Sequence, residues 1–174
     1  MFELKTLHKE AIPRALERAE KYRVLNEPWE AESICLDILA TEPQNQRALI
    51  TLLLALTDQF GGQFGGPNGG VSVGRASEVL QRIEGEYERS YYEGVIDERW
   101  AKAALRDHLP GSLVYDWFTA ALRCYERAEK LSSAGNEEAI LRWNACVRQL
   151  QRHEHLLPHP DDMDAGFNDH VGPR

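Results

Sequence analysis

The sequence predicts an all-α protein, and three observations carry that prediction. Apolar residues recur at three- and four-residue spacing along most of the chain. Proline and glycine break that pattern at short intervals. No stretch alternates apolar and polar residues as a half-buried strand would. At 174 residues the chain is one domain long. A domain of that size buries roughly 70% of its unfolded surface, enough for a core without disulfides or metal.

The first helix carries Ile12, Leu16, Ala19 and Tyr22 at helical spacing, with Pro13 in the first turn, where a missing N–H is harmless. Asn26-Glu27-Pro28 ends it and begins the second, whose stripe is Ala31, Ile34, Cys35, Ile38 and Leu39, opposed by Glu30, Glu32 and Asp37. Pro43 closes this helix, because the residue before a proline avoids helical geometry. A third helix, about 46–60, is apolar nearly all round (Leu49, Ile50, Leu52, Leu53, Leu54, Leu56), which places it at the centre of the fold.

Seven of the thirteen glycines then fall in 61–74, which reads as a loop. Helix resumes near Arg75 with Val79, Leu80 and Ile83. After a break at Gly85 a long pattern runs through Tyr87, Tyr91, Val95, Trp100 and Leu105. Pro110-Gly111 breaks the chain again, with Ser112 expected as N-cap of a helix carrying Phe118, Ala121, Leu122, Tyr125, Ala128 and Leu131. Asn136 is expected to cap a last helix bearing Ile140, Leu141, Trp143, Cys146, Val147 and Leu150, with Glu137 and Glu138 at its positive end. The reading is therefore a helical domain over 1–157 and an acidic, flexible tail over 158–174.

Charge narrows the partners. Twenty basic residues against 28 acidic give a net −8, of which the tail carries −3 and the body −5. Nucleic acid and anionic membranes need a basic patch, so neither is expected as a partner. The chain starts without a basic region followed by an apolar run, and its longest apolar stretch, 48–56, is far too short to span a bilayer. Cys35, Cys124 and Cys146 lack disulfide or metal-ligand spacing and read as buried reduced thiols. The expected location is the cytoplasm.

An internal repeat organises the helices. Ala31, Cys35 and Ile38 set a small residue, a larger one four later and an apolar one three after that; Ala76, Leu80 and Ile83 repeat the spacing, as do Ala121, Tyr125 and Ala128. The small residue lets a partner helix approach, and the larger one fills the next turn. The 34-residue unit 12–45, with Ala19, Tyr22, Ala31 and Pro43 at the matching positions, resembles the tetratricopeptide repeat family. Ala15 and Arg18 stand where that family has its tryptophan and leucine. The resemblance implies a right-handed superhelix of about three antiparallel hairpins plus a C-terminal capping helix. The 45-residue intervals from Ala31 to Ala76 and from Ala76 to Ala121 also suit HEAT-like hairpins, the alternative architecture.

The family resemblance implies a non-enzymatic scaffold, an adaptor or chaperone-like module, binding a peptide or helical segment. Length and acidity also resemble bacterial secretion chaperones of the same repeat family, though the glycine loop does not fit them. Groove positions would hold Leu16, Glu20, Ile50 and Leu54, which cannot clamp an anion and would suit a basic or amphipathic segment. The competing reading of Ile50 and Leu54 is plain core. Tyr91, Tyr92 and Arg99 form a second candidate contact set, since aromatics and arginine dominate binding hot spots.

Other chemistry has thinner support. The glycine loop lacks the GK[ST] ending of a phosphate loop and has no strand before it. The alternative function is metal or small-ligand binding by that loop or by His153, His155, His159, Asp161, Asp162 and His170. His153 and His155 are two apart and diverge on a helix, so no metal site and no cofactor are expected. Nor is there a catalytic constellation. A homodimer through an apolar face is the third reading.

Overall fold

The computed structural model describes residues 2–61 and 73–157. Within them the chain forms seven α-helices and no strand: α1 (Ile12–Val24), α2 (Pro28–Thr41), α3 (Gln46–Asp58), α4 (Val73–Leu80), α5 (Glu86–Arg106), α6 (Gly111–Leu131) and α7 (Glu138–Arg152). Short 3₁₀ turns at Lys9–Ala11 and Glu154–Leu156 flank them. The acidic segment 158–174 and most of the glycine-rich loop lie outside the described residues. No helix among the described residues is long and apolar enough to cross a membrane.

Local chemistry sets the boundaries. Pro13 and Pro28 sit in the first turns of α1 and α2. Asn26 takes a φ of 61° behind α1, and the Glu27 N–H bonds back to the Tyr22 carbonyl at 2.9 Å, closing the helix end. Asn45 caps α3 by accepting the Ala48 N–H at 3.0 Å. Gly85 enters α5 with φ 87°, a conformation that side chains resist.

Two expected boundaries move. Helix resumes at Val73, ahead of Arg75. Ser112 is not a cap: α6 starts at Gly111, because Pro110 already turns the chain and its carbonyl accepts the Val114 N–H at 3.2 Å. Asn136 does serve the start of α7, although Glu137 occupies the cap position. Its Oδ1 accepts the Glu138 N–H at 3.3 Å and the Tyr87 hydroxyl at 3.3 Å.

Each helix packs on its neighbours in sequence, and the odd-numbered helices also touch, α1 on α3 and α3 on α5. Helix α3 contacts α1, α2, α4 and α5, the central place its apolar surface requires. One buried cluster spans α1–α4, with Ile96 and Ala103 added from α5. A second gathers Val95, Phe118, Ala121, Tyr125, Ala139 and Cys146 from α5, α6 and α7. Leu54 and Tyr92 pack against both.

Of the repeat-packing residues, Ala19, Ala31, Ala76, Ala121, Ala128 and Tyr125 are fully buried. Tyr22 and Leu80 are half-buried, and Pro43 lies exposed beyond the end of α2. Gly94 permits the closest approach of α5 to α6: a Cβ there would stand 2.7 Å from Tyr125 Cε1 and 3.1 Å from Cys124 Cβ. The three cysteines are buried and unpaired, and desolvation pushes each thiol up to about 12.

Candidate functional site

Helix α3 touches both α1 and α5, and ion pairs cross both seams. Between α1 and α3, Arg47 Nε and Nη2 donate to the two Glu20 carboxylate oxygens, both at 2.8 Å. Nearer the C-terminal end of α3, Asp58 accepts from Arg23 of α1 at 2.8 Å and from Arg99 of α5 at 2.5 Å. The Arg99 Nη1 also reaches the Thr57 hydroxyl at 2.6 Å and the Leu54 carbonyl at 3.0 Å. Arginine suits this junction because its planar fork serves several acceptors at once. Burial pushes its guanidinium below the ordinary value, with Asp58 opposing that shift.

A second polar junction ties α5 to α6 and α7. Glu98 is fully buried, and its carboxylate accepts the Tyr125 hydroxyl at 2.6 Å, the Lys102 ammonium, and Arg142 Nη1 at 3.4 Å. Burial alone would raise this carboxyl. The hydrogen bonds from Lys102 and Tyr125 and the charges of Lys102 and Arg142 outweigh it, holding Glu98 below its usual value and therefore ionised. Burial and the same carboxylate push the Tyr125 phenol upward, so it remains the donor.

The site residues expected from the sequence divide between these helix seams and the interior. Glu20, Ile50, Leu54, Tyr92 and Arg99 are all half-buried; cross-helix bonds join Glu20 to Arg47 and Arg99 to the Leu54 carbonyl, while Ile50 and Tyr92 pack against the first cluster. Leu16 and Tyr91 do not belong with them. Leu16 is buried in the first cluster, and Tyr91 lies in the second, stacked on Tyr87 and tilted against Tyr125. The reason is position within the helical turn: Leu16 shares a stripe with Ile12 and Ala19, and Tyr91 with Val95. Burial pushes the Tyr92 phenol up to about 12.

Two recesses were not legible in the sequence. One, about 410 Å³, lies where the eight-residue α4 stops short of α6, walled by Leu80 and Leu131 and floored by Glu86, Arg89, Ser90 and Glu93 of α5. The other, about 290 Å³, opens on the outer side of the α1–α2 hairpin between Leu7, Ala15 and Ile34. Ala15 and Arg18, the departures from the repeat pattern, both line it.

The ligand-binding alternative falls mostly outside the described residues, which exclude His159, Asp161, Asp162, His170 and residues 62–72 of the loop. His153 and His155 face each other edge to face with ring centroids 5.6 Å apart. Among the described residues no three His, Cys, Asp or Glu side chains are gathered as a metal set would be. Arg75, the cation beside the loop, is paired with Glu32 at 2.5 Å. Comparison with known proteins returned no significant match to a family model, a curated protein or a solved structure.

Proposed function

We propose that the chain is a non-enzymatic cytoplasmic scaffold whose hairpins form a tetratricopeptide-like superhelix, binding a helical or extended protein segment across α1, α3 and α5. The observation that carries this reading is the contact of α3 with both α1 and α5. Ile50, Leu54 and Tyr92 leave part of their apolar surface uncovered there, between arginine–carboxylate pairs that fix the spacing of the helices. A rigid apolar strip with charged margins suits an amphipathic segment, whose apolar residues meet the strip while its basic residues meet Glu20.

The test compares affinity capture from native lysate by the wild-type chain and by a Glu20→Lys/Ile50→Ser variant that keeps its helical signal and melting profile. A protein retained by the wild type and lost from the variant supports the proposal. Retention by both, or by neither, refutes this face as the binding surface.

A further inference from the structure

The hairpin of α1 and α2 packs on α3 by its inner side. Its outer side holds the recess of about 290 Å³, floored by Leu7, Ala11, Ala15 and Ile34, all half-buried. The two helices that flank this seam carry opposite charge. Arg14 and Arg18 line the recess from α1, and Lys21 follows them at helical spacing. Glu17 is turned toward α3 instead, close enough to act on Arg47. Asp37 lines the recess from α2, and Glu30 stands one turn before Ile34 on the same side. None of these five recess-side charges forms an ion pair among the described residues, whereas Arg23, Arg47 and Arg75 are each paired.

A face with a basic rim, an apolar seam and an acidic rim is its own complement. We propose that two copies of this chain pair about a two-fold axis through the outer sides of their α1–α2 hairpins, Arg14, Arg18 and Lys21 of each copy facing Glu30 and Asp37 of the other. An axis lying between the copies and parallel to the hairpin sets each α1 over the other copy's α2. Basic rim meets acidic rim twice, and the apolar seams close on each other between them. A partner of one charge would leave one rim against its own sign.

The register fits. The chain turns at Asn26, with α1 ending at Val24 and α2 starting at Pro28. Arg14 and Asp37 are 12 and 11 residues from that turn, Lys21 and Glu30 are 5 and 4, and Arg18 falls between. An axis parallel to the hairpin preserves these heights, so each acid meets a base of the other copy. Apolar surface beside the face adds to the contact. Phe2 and Leu4, on the non-helical chain leading to Leu7, are 106% and 94% exposed, and a second copy would take them out of water. The hairpin face measures about 20 Å by 20 Å, at ~1.5 Å per helical residue and ~10 Å per helix. That is small for a specific interface, so the expected dissociation constant is on the order of 10–100 μM.

Analytical ultracentrifugation of the full-length chain, from about 5 to 500 μM, tests the pairing across the dissociation range expected of so small an interface. The wild type should move from monomer to dimer mass. Arg14→Glu/Arg18→Glu/Lys21→Glu and Glu30→Lys/Asp37→Lys should each stay monomeric, their rims now of one sign. Mixed in equal amounts, these two variants should pair with each other, and all five changes in one chain should restore self-association. Phe2→Ser/Leu4→Ser should weaken the wild-type dimer several-fold. Four of the five rim residues are exposed and Asp37 is half-buried, so the folds should survive, and the mixing arm shows that both variants remain competent. A wild type monomeric at 500 μM would overturn the proposal and leave the face to a charged segment of another protein. Association that survives either reversal, or a mixture that fails to pair, would overturn it equally.

Discussion

Removing one hydroxyl at the α5–α6–α7 junction gives a quantitative test of how the fold is held. In Tyr125→Phe the ring stays in its fully buried site, so no cavity opens, and the lost group is the 2.6 Å donor to Glu98. A hydrogen bond to a charged group contributes about 1.5–3 kcal/mol, so the expected loss at neutral pH is about 2 kcal/mol. For a chain of this length that corresponds to roughly 4–8 °C in Tm. Lys102 and Arg142 still contact the carboxylate, which keeps the loss below that of leaving a buried charge bare.

The pH dependence has a definite sign. Glu98 is depressed in the folded chain, so its contribution is fully present above the usual glutamate range and disappears as pH falls through the lower folded-state value. Urea denaturation followed by helical circular dichroism, at several values from pH 7 down to 3, should show the difference between wild type and Tyr125→Phe narrowing with acidification. In Glu98→Gln, the same Tyr125→Phe change should cost only about 1 kcal/mol, because the acceptor is then neutral. A wild-type difference below about 0.5 kcal/mol, or one constant across this pH range, would refute the assignment of Tyr125 as donor to an ionised Glu98.

Gly94→Ala should destabilise by about 1–2 kcal/mol in urea, since overpacking against Tyr125 and Cys124 exceeds the ~1 kcal/mol gained in helix propensity. A stabilised variant would show that α5 and α6 separate freely. Native protein at pH 8 should resist thiol reagents, and all three cysteines should react once it is unfolded, because each thiol is pushed up to about 12. Rapid labelling of the native chain would contradict their burial. Asp97 should titrate near 6, raised first by burial and then by the Glu93 charge. A carboxyl raised on folding favours the folded state less as pH climbs through that value, so Asp97→Asn should stabilise above pH 6 and lose its advantage below about 4. Carboxyl chemical shifts and paired urea titrations measure both effects.

The helices were legible because their interruptions are chemical: Pro28, Pro43, Gly85 and Pro110 each stand at or beside a boundary. The buried alanines were legible for a related reason, since only small residues at that spacing admit a neighbouring helix, and Ala31, Ala76 and Ala121 do so. Glu98 was not. It stands between Asp97 and Arg99 in a run that reads as solvated surface, and its burial depends on Tyr125 and Arg142 arriving from α6 and α7. Glu20, Ile50 and Leu54 were named from the groove positions that the repeat resemblance implies, and Tyr92 and Arg99 from their residue types; the structure shows all five half-buried. Leu16 and Tyr91 were misplaced because a turn position does not say which neighbour covers it. The partners of Arg99 depend on the distance between α3 and α5, which one-dimensional spacing does not contain.

The division of the interior into two clusters bears on how the chain acquires its shape. Contacts between successive helices close short loops, so the ordering entropy lost before each gain is small and folding should be rapid. The α1–α4 and α5–α7 clusters can each assemble from such local steps. Leu54, Tyr92 and the Arg99–Asp58 pair then join them. Cooperativity across the chain is concentrated at that seam. Weakening it would let the two halves open at different free energies, visible as two classes of amide exchange where the intact chain shows one.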